Sequence, residues 1–302
     1  MADVEWLWKE WIPKGGVSLV VGETGVGKSY LLCYIIACVT GNLPWPDGTY
    51  SEKHKVCLLE TESMRPEIGR RLARLGVRED DTVVLPYPED EECGEWYIPK
   101  VPDDLDSLVR PYVESGEEWV VVVDSLSGAH AIKENDSDMR RVLAPMAKLS
   151  AEYNLPLAVS HHLGKGSGNH GRELSLDRVR GSSTIVQFSR SVLGLEEPIP
   201  GRAVRVSCLK SNFAKKPDPF GFRITETGEF ELCEAPSAAR TDTMQDHAEE
   251  FLIKVLRSGQ LRAGEVIKLG EEEGLSASTL RRAAKELRVV QESGLWEMPS
   301  LN

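Results

Sequence analysis

The stretch Gly22-Glu23-Thr24-Gly25-Val26-Gly27-Lys28-Ser29 lies between two apolar runs. Ahead of it is Val17 to Val21 (VSLVV), short and β-branched, which reads as a buried strand. Behind it is Tyr30 to Val39 (YLLCYIIACV), long enough for a helix that Gly41, Pro44 and Pro46 would stop. Strand, glycine-rich turn and helix form the setting in which G-x-x-x-x-G-K-[ST] holds phosphate. The glycines let backbone N–H groups turn inward on phosphate oxygens, and the helix adds the positive end of its dipole. The loop from Gly22 to Tyr30 therefore points to a nucleotide, with ATP and Mg2+ as the expected ligands. Lys28 would reach the β- and γ-phosphates, and Ser29 Oγ would ligate the metal.

Working outward, the chain alternates strand and helix patterns. His54 to Glu60 (HKVCLLE), Trp119 to Asp124 (WVVVVD) and Leu155 to His162 (LPLAVSHH) read as strands. Pro66 to Gly76 and the MRRVLAPMAKLSAEYN segment read as helices, the former with Pro at its start and Gly past its end. This alternation predicts an α/β fold, a mainly parallel sheet covered on both faces. SRSVLGLE, AVRVSCLKS and FRITETGEFEL read as later strands, close enough together for antiparallel pairing at the sheet edge. Residues 77–104, acidic and proline-rich, read as mostly surface loop. The expected organisation is an ATPase domain over 1–234, a linker over 235–242 and a helical domain over 243–302.

The chain's 302 residues carry a formal charge of −12, so attraction to polyanions is not a property of its whole surface. Any nucleic-acid site must be local. The six cysteines include no C-x-x-C pair and most fall in apolar runs, which suggests reduced thiols and a cytoplasmic location. The N-terminus has no basic-then-apolar leader pattern, and no apolar run is long enough to span a bilayer.

Asp124 at the end of VVVVD is suited to hold the magnesium through water. The residue after it is Ser125 rather than Glu, so a catalytic base must come from elsewhere. LLETES offers Glu60 and Glu62, either of which could orient and deprotonate an attacking water. Strand alternation would put both on the same side; Glu62 is favoured because it lies further out towards solvent.

The series GETGVGKS, LLETESMRPEIGRRLARLG, VVVVDSLSGAH, LAVSHHLGKGSG, RGSSTI and LKSNF resembles the RecA-like ATPases of the RepA-type hexameric helicase group, over roughly residues 10–233. The resemblance implies a RecA-like fold, ATP hydrolysis and a homo-oligomeric, hexameric ring acting on DNA. It implies that Glu62 is the catalytic carboxylate, and that His161 or, preferably, His162 senses the γ-phosphate. It also implies that Gly164 to Gly171, with Lys165, faces a central pore. Arg180, Arg190 and Lys210 are candidates to act on a neighbour's nucleotide. The GKGSGNHG loop has few cations and no aromatic side chain to stack on bases, so its own grip on a single strand would be weak.

Residues 243–302 read as helix, turn, helix, Gly274, a third helix capped by Ser276 or Ser278, and a hairpin over Val289 to Trp296. That is the layout of a winged helix-turn-helix. On the third helix Arg281, Arg282, Lys285 and Arg288 form a basic surface opposite Leu280, Ala284 and Leu287, a candidate DNA contact. Residues 241–302 nevertheless carry eight Lys and Arg against eleven Asp and Glu, a net −3. Two readings follow: an oligomeric ATP-driven motor on DNA, or a DNA-binding ATP switch that does not unwind. A small-molecule kinase is disfavoured, since no arginine-rich lid follows and the C-terminal segment would be left unexplained.

Overall fold

The computed structural model describes residues 4–62, 64–84, 103–130, 132, 137–164, 174–179, 181, 183–198, 201–238, 244–257, 259–287, 289–292 and 294–297. They fall into two compact units, one ending at Ala239 and one beginning at Arg240.

The first unit opens with the short strands β1 (Trp6–Trp8) and β2 (Ile12–Pro13), followed by β3 (Val17–Gly22) and α1 (Lys28–Val39). Then come β4 (Lys55–Glu60), α2 (Arg65–Arg74), β5 (Thr82–Val84), α3 (Asp103–Val113), β6 (Trp119–Asp124), α4 (Arg140–Glu152) and β7 (Leu157–His162). The unit closes with α5 (Ser183–Phe188), β8 (Ser189–Glu196), β9 (Val204–Ser211), β10 (Phe220–Ile224) and β11 (Phe230–Cys233). Nine strands make one sheet in the order β11-β10-β9-β8-β3-β7-β6-β4-β5. From β8 to β5 every pairing is parallel. From β8 to β11 the pairings are antiparallel.

Both faces of this sheet are buried, which explains why its strands are apolar at successive positions rather than alternately. Val20, Val56, Leu58, Val120 and Val122 join one core with α1 and α2. Their neighbours Leu19, Val21, Cys57, Leu59, Val121 and Val123 join the other with α3, α4 and α5. Under α1 the central strands carry small side chains, Ser18, Ala158 and Ser160, all fully buried, so the helix can sit close on the sheet.

The far side of α1 is also covered, which accounts for its unbroken apolar sequence. Tyr34 stacks on Phe230 (centroids 4.6 Å apart), and Phe230 on Phe222 (4.7 Å). Trp8 stacks between Trp11 (4.8 Å) and Trp45 (4.5 Å). The β10–β11 pair thus lies over the helix that follows the phosphate loop. A Cβ on Gly27 would come within 3.1 Å of the Phe222 ring, and Gly27 has φ +103°, so glycine is required there twice over.

Two expectations are revised. The 77–104 segment contains strand β5 on the outer edge of the sheet, with residues 85–102 outside the described set. FRITETGEFEL is a hairpin of two strands, not one, because Thr225–Glu229 closes a turn. The antiparallel pairing expected of SRSVLGLE, AVRVSCLKS and FRITETGEFEL is found from β8 to β11, and β8 pairs in addition with β3, in parallel. The β1–β2 pair carried no period by which it could be read.

The second unit contains α6 (Met244–Leu256), β12 (Leu261–Arg262), α7 (Ala263–Glu272), α8 (Ala277–Glu286), β13 (Val290–Glu292) and β14 (Leu295–Glu297). Its small sheet runs β12-β14-β13. Phe251, Leu252, Leu256, Val266, Leu280, Ala283, Ala284 and Trp296 form its core. Ser276 caps α8 by accepting from the Thr279 N–H at 3.2 Å. Gly270 lets α7 approach Leu280, whose Cδ1 would lie 2.5 Å from an added Cβ.

Phe222→Ala should lower stability by about 3–5 kcal/mol, since it empties a fully buried aromatic site. Urea unfolding followed by circular dichroism measures the loss.

Candidate functional site: a phosphate-loop cleft

The parallel register brings the carboxyl ends of the central strands to one level. Gly22 pairs with His162 and Leu195, and Glu60 pairs with Asp124. Ligands in open α/β sheets lie at this edge. A cleft of about 310 Å³ opens there, lined by Thr24, Gly25, Gly27, Lys28, Ser29, Tyr30, Glu60, Glu62, Met64, Ile68, Arg71, Asp124 and His162. β7 lies between β3 and β6, so Asp124 reaches the loop from across one intervening strand.

The loop is folded by its own polar groups. Lys28 is buried and donates from Nζ to the carbonyls of Gly22 (3.1 Å) and Glu23 (2.8 Å). Burial lowers its pKa, opposed by the carboxylates of Asp124 and Glu62. Gly22 has no room for a side chain, since a Cβ would press on Val26 at 2.7 Å. Val26 turns into the core, and the Glu23 carboxylate pairs with Arg178 at 3.0 Å. Of the residues expected to hold nucleotide, Gly22, Glu23 and Val26 thus shape the loop, while Thr24, Gly25, Gly27, Lys28, Ser29 and Tyr30 line the cleft. No side chain caps the start of α1, so its first N–H groups face the loop.

Asp124 is buried and accepts from Ser160 Oγ at 2.5 Å. Burial raises its pKa, against hydrogen bonds from Ser160 and Ser29 that favour the charged form. The hydroxyl of Ser29 and the carboxylate of Asp124 thus share one corner of the cleft. Both are hard oxygen donors, and a buried carboxylate is stabilised by a cation, so the pair fits Mg2+ completed by water and phosphate. Among the described residues no cluster of three His, Cys, Asp or Glu forms a protein-only metal cage.

The two candidate carboxylates differ sharply. β4 ends at Glu60, so strand alternation does not govern Glu62. Glu60 is buried, and its oxygens accept the N–H of Glu62 (2.7 Å) and of Met64 (3.0 Å). It caps the bend that follows. The Glu62 side chain is 43% exposed in the cleft, with Oε1 receiving Ser125 Oγ at 2.7 Å and lying 3.6 Å from His162 Nε2. Those contacts, His162 first, hold its pKa down at about 2, against some desolvation. His161 points into the sheet and is fully buried, whereas His162 reaches the cleft.

Other expected residues lie elsewhere. Arg190 and Lys210 sit at the opposite end of the sheet from the cleft: Arg190 follows Ser189, which pairs with Val17, and Lys210 pairs with Val192. Lys210 Nζ donates to the carbonyls of Val186 (2.8 Å) and Ser189 (2.7 Å). Arg180, Lys165, Arg288 and the loop from 165 to 171 fall outside the described residues. On α8, Arg281, Arg282 and Lys285 are exposed, and the opposite face buries Ala283 together with the expected Leu280 and Ala284.

Sequence reasoning passed over Arg71 and Ser125. Arg71 lies 3.8 Å over the Tyr30 ring and bonds Glu67 at 3.1 Å. Its spacing from Glu67 (i, i+4) and from buried Ile68 could have placed it on the cleft side of α2.

A parallel sheet with β3 flanked by β7 and β8, a glycine loop at its tip and facing carboxylates define a P-loop ATPase with a RecA-like core. A family model described as an AAA domain matches residues 1–168, over half of the chain, and the chain belongs to that family. Among solved structures it is similar to an ATPase domain, with TM-score 0.52 and 16% identity over 73% of this chain and 86% of that one. It is also similar to the RadB recombinase, with TM-score 0.49 and 19% identity over 74% of this chain and 93% of that one. No curated protein matches it. Among the described residues no helix is long and apolar enough to cross a membrane.

The depressed pKa means that Glu62 is ionised throughout the working pH range. A group whose folded pKa is lowered stabilises the fold above its unfolded pKa and loses that contribution as pH falls towards the folded value. The stability advantage of the native chain over Glu62→Gln should therefore hold from pH 7 to about 5 and shrink at lower pH. Paired urea unfolding curves across that range measure it.

Proposed function

We propose that the chain is an ATP-hydrolysing motor in DNA replication or processing, helicase-like, assembled as a homo-oligomeric ring, most simply a hexamer. The observation that carries this reading is the cleft. An ionised carboxylate, Glu62, stands opposite Lys28, Ser29 and Asp124, with room between them for a triphosphate end and a water.

In this reading Lys28 leaves the loop carbonyls and its ammonium neutralises the β- and γ-phosphates. The backbone N–H groups of residues 24–29 and the start of α1 cradle the same oxygens. Ser29 and Asp124 hold Mg2+, which when bound offsets the charge developing on the phosphates. Glu62 orients the attacking water. With a pKa of about 2 it is a weak base, which suits a loose transition state that needs little proton transfer before the phosphoryl group departs. His162, beside Glu62, is placed to report the γ-phosphate by exchanging one hydrogen-bond partner for another.

Lys210 and Arg190 cannot serve their own cleft from the far end of the sheet, which supports action on a neighbour's nucleotide. Lys210 uses two of its three donors on carbonyls and keeps one for an outside acceptor. Arg180 and the pore-facing Lys165 keep their proposed roles by resemblance alone. The fold shared with the solved ATPase domain agrees with an ATPase assignment.

The exposed cations of α8 favour a second reading, a winged-helix DNA-binding switch whose ATPase sets its assembly without unwinding. Arg281, Arg282, Lys285 and Arg288 would then contact duplex phosphates.

Glu62→Gln should lower kcat for ATP by about 10²–10⁴-fold while leaving nucleotide affinity unchanged. Single-stranded DNA should stimulate the native ATPase, and light scattering with ATP should give a ring-sized mass. Hydrolysis indifferent to DNA by a monomer would leave the motor reading without support, while tight duplex binding without unwinding would favour the switch. Glu62→Gln and Lys210→Ala should each be inactive alone yet regain part of the activity when mixed, because a mixed interface pairs a sound cleft with a sound Lys210. Mixtures that stay inactive would place Lys210 outside any shared site.

A further inference from the structure

Glu62 lies beyond the end of its strand, on a bend, and carries a side chain with three rotatable bonds; such a carboxylate is costly to hold in one place. Two side chains nevertheless converge on it, Ser125 and His162. Ser125 is buried, 1% exposed, and its hydroxyl donates to Glu62 Oε1 at 2.7 Å. This is closer than the 3.6 Å contact with His162.

Ser125 is itself fastened. Thr61 Oγ1 accepts the Ser125 N–H and donates to the Ser125 carbonyl, both at 2.9 Å. Thr61 N–H bonds the Asp124 carbonyl at 2.8 Å, and Leu126 N–H bonds the Ser160 carbonyl at 2.9 Å. The end of β6 is thus tied to the residue preceding Glu62 on one side and to β7 on the other. Gly128 completes the arrangement: a Cβ there would collide with Thr61 Oγ1 and come 2.8 Å from the Thr61 carbonyl. The side chain at 125 therefore reaches Glu62 from a backbone with no freedom to retreat.

We propose that Ser125, locked by Thr61 and Gly128, is the positioning residue that aims the Glu62 carboxylate at the attacking water. This inference rests on the reading of Glu62 given above. It also gives a physical use to the absence of a carboxylate at position 125: the residue next to the metal-site aspartate does not act on water but orients the group that does. The hydroxyl donates, so it also favours the ionised form of Glu62. Removing it should both loosen the carboxylate and make it easier to protonate.

The test is steady-state ATP hydrolysis by the full chain, with and without single-stranded DNA, for Ser125→Ala, Ser125→Thr, Glu62→Gln and the Ser125→Ala/Glu62→Gln pair. Ser125→Ala should lower kcat by about 10- to 100-fold, the scale of a misplaced reacting group, with KM unchanged. Its acid limb of kcat should move to higher pH, because a contact that lowers the Glu62 pKa is gone. Ser125→Thr, which keeps the hydroxyl, should recover much of the activity. In the Glu62→Gln background Ser125→Ala should cost little more, since both act through one carboxylate. An equal further loss in that background would overturn the proposal, as would a Ser125→Ala enzyme with native kcat and pH profile beside an inactive Glu62→Gln. If Glu62→Gln itself keeps native activity, the assignment of Glu62 fails first, a result the single variant distinguishes. Should Ser125→Ala fold poorly by circular dichroism, Ser125→Cys, similar in volume but a weak donor, takes its place with the same expectations.

Discussion

Everything at the cleft depends on β3 being paired in parallel on both sides, with β7 and with β8. Parallel pairing points all the strand ends the same way, so the turn after Gly22, the bend after Glu60, the carboxylate of Asp124 and the imidazole of His162 emerge at one edge. Such a sheet must be covered on both faces, and α1 is the element that most of the first core is built around. The loop is consequently held from below by the strand, from behind by a buried helix, and from the side by Phe222 and Ile224. A glycine loop on a flexible support would not present its N–H groups in a fixed array; here the support is among the most buried parts of the molecule.

Within that frame the electrostatics are balanced by burial rather than by exposed ion pairs. Lys28 and Asp124 both lose hydration, which pushes the pKa of one down and of the other up, and each is partly compensated by the other's charge. Glu62 stands apart because it keeps contact with solvent and has donors on two sides, so it stays ionised. The cleft therefore brings Lys28 together with the carboxylates of Asp124 and Glu62, so that a phosphate end with its metal would satisfy all three. That is the physical content of calling it a nucleotide site, beyond the match of a motif.

The second unit follows a different logic. Its core is small, with a single tryptophan, Trp296, and it depends on local devices such as the Ser276 cap and the Gly270 contact with Leu280. Three exposed cations, Arg281, Arg282 and Lys285, lie close together on α8 in a segment that is net acidic. The net charge of the chain, −12, opposes attraction of polyanions at a distance.

The amino-acid sequence by itself determined the phosphate loop, the alternation of β-branched runs with helices and hence the parallel sheet, and the helix-turn-helix-hairpin order of the last sixty or so residues. These are local patterns: a motif of fixed spacing, a period, a cap. It could also narrow the candidate catalytic carboxylate to Glu60 or Glu62 and favour Glu62 as the outer of the two, but alternation could not separate them, because it applies only while the strand lasts. Where β4 stops is decided by its pairing with β6, which ends at Glu60 and Asp124. That register turns Glu60 inward onto two backbone N–H groups and leaves Glu62 in the cleft. The same is true of Ser125 and Arg71, ordinary residues in sequence that matter only for what lies across from them. Strand β5, short and next to an acidic stretch, and the β1–β2 pair had too few residues to show a period. Contacts between residues sixty or more apart, such as Thr61 with Ser125, belong to the tertiary structure because nothing in either local segment encodes the other's position.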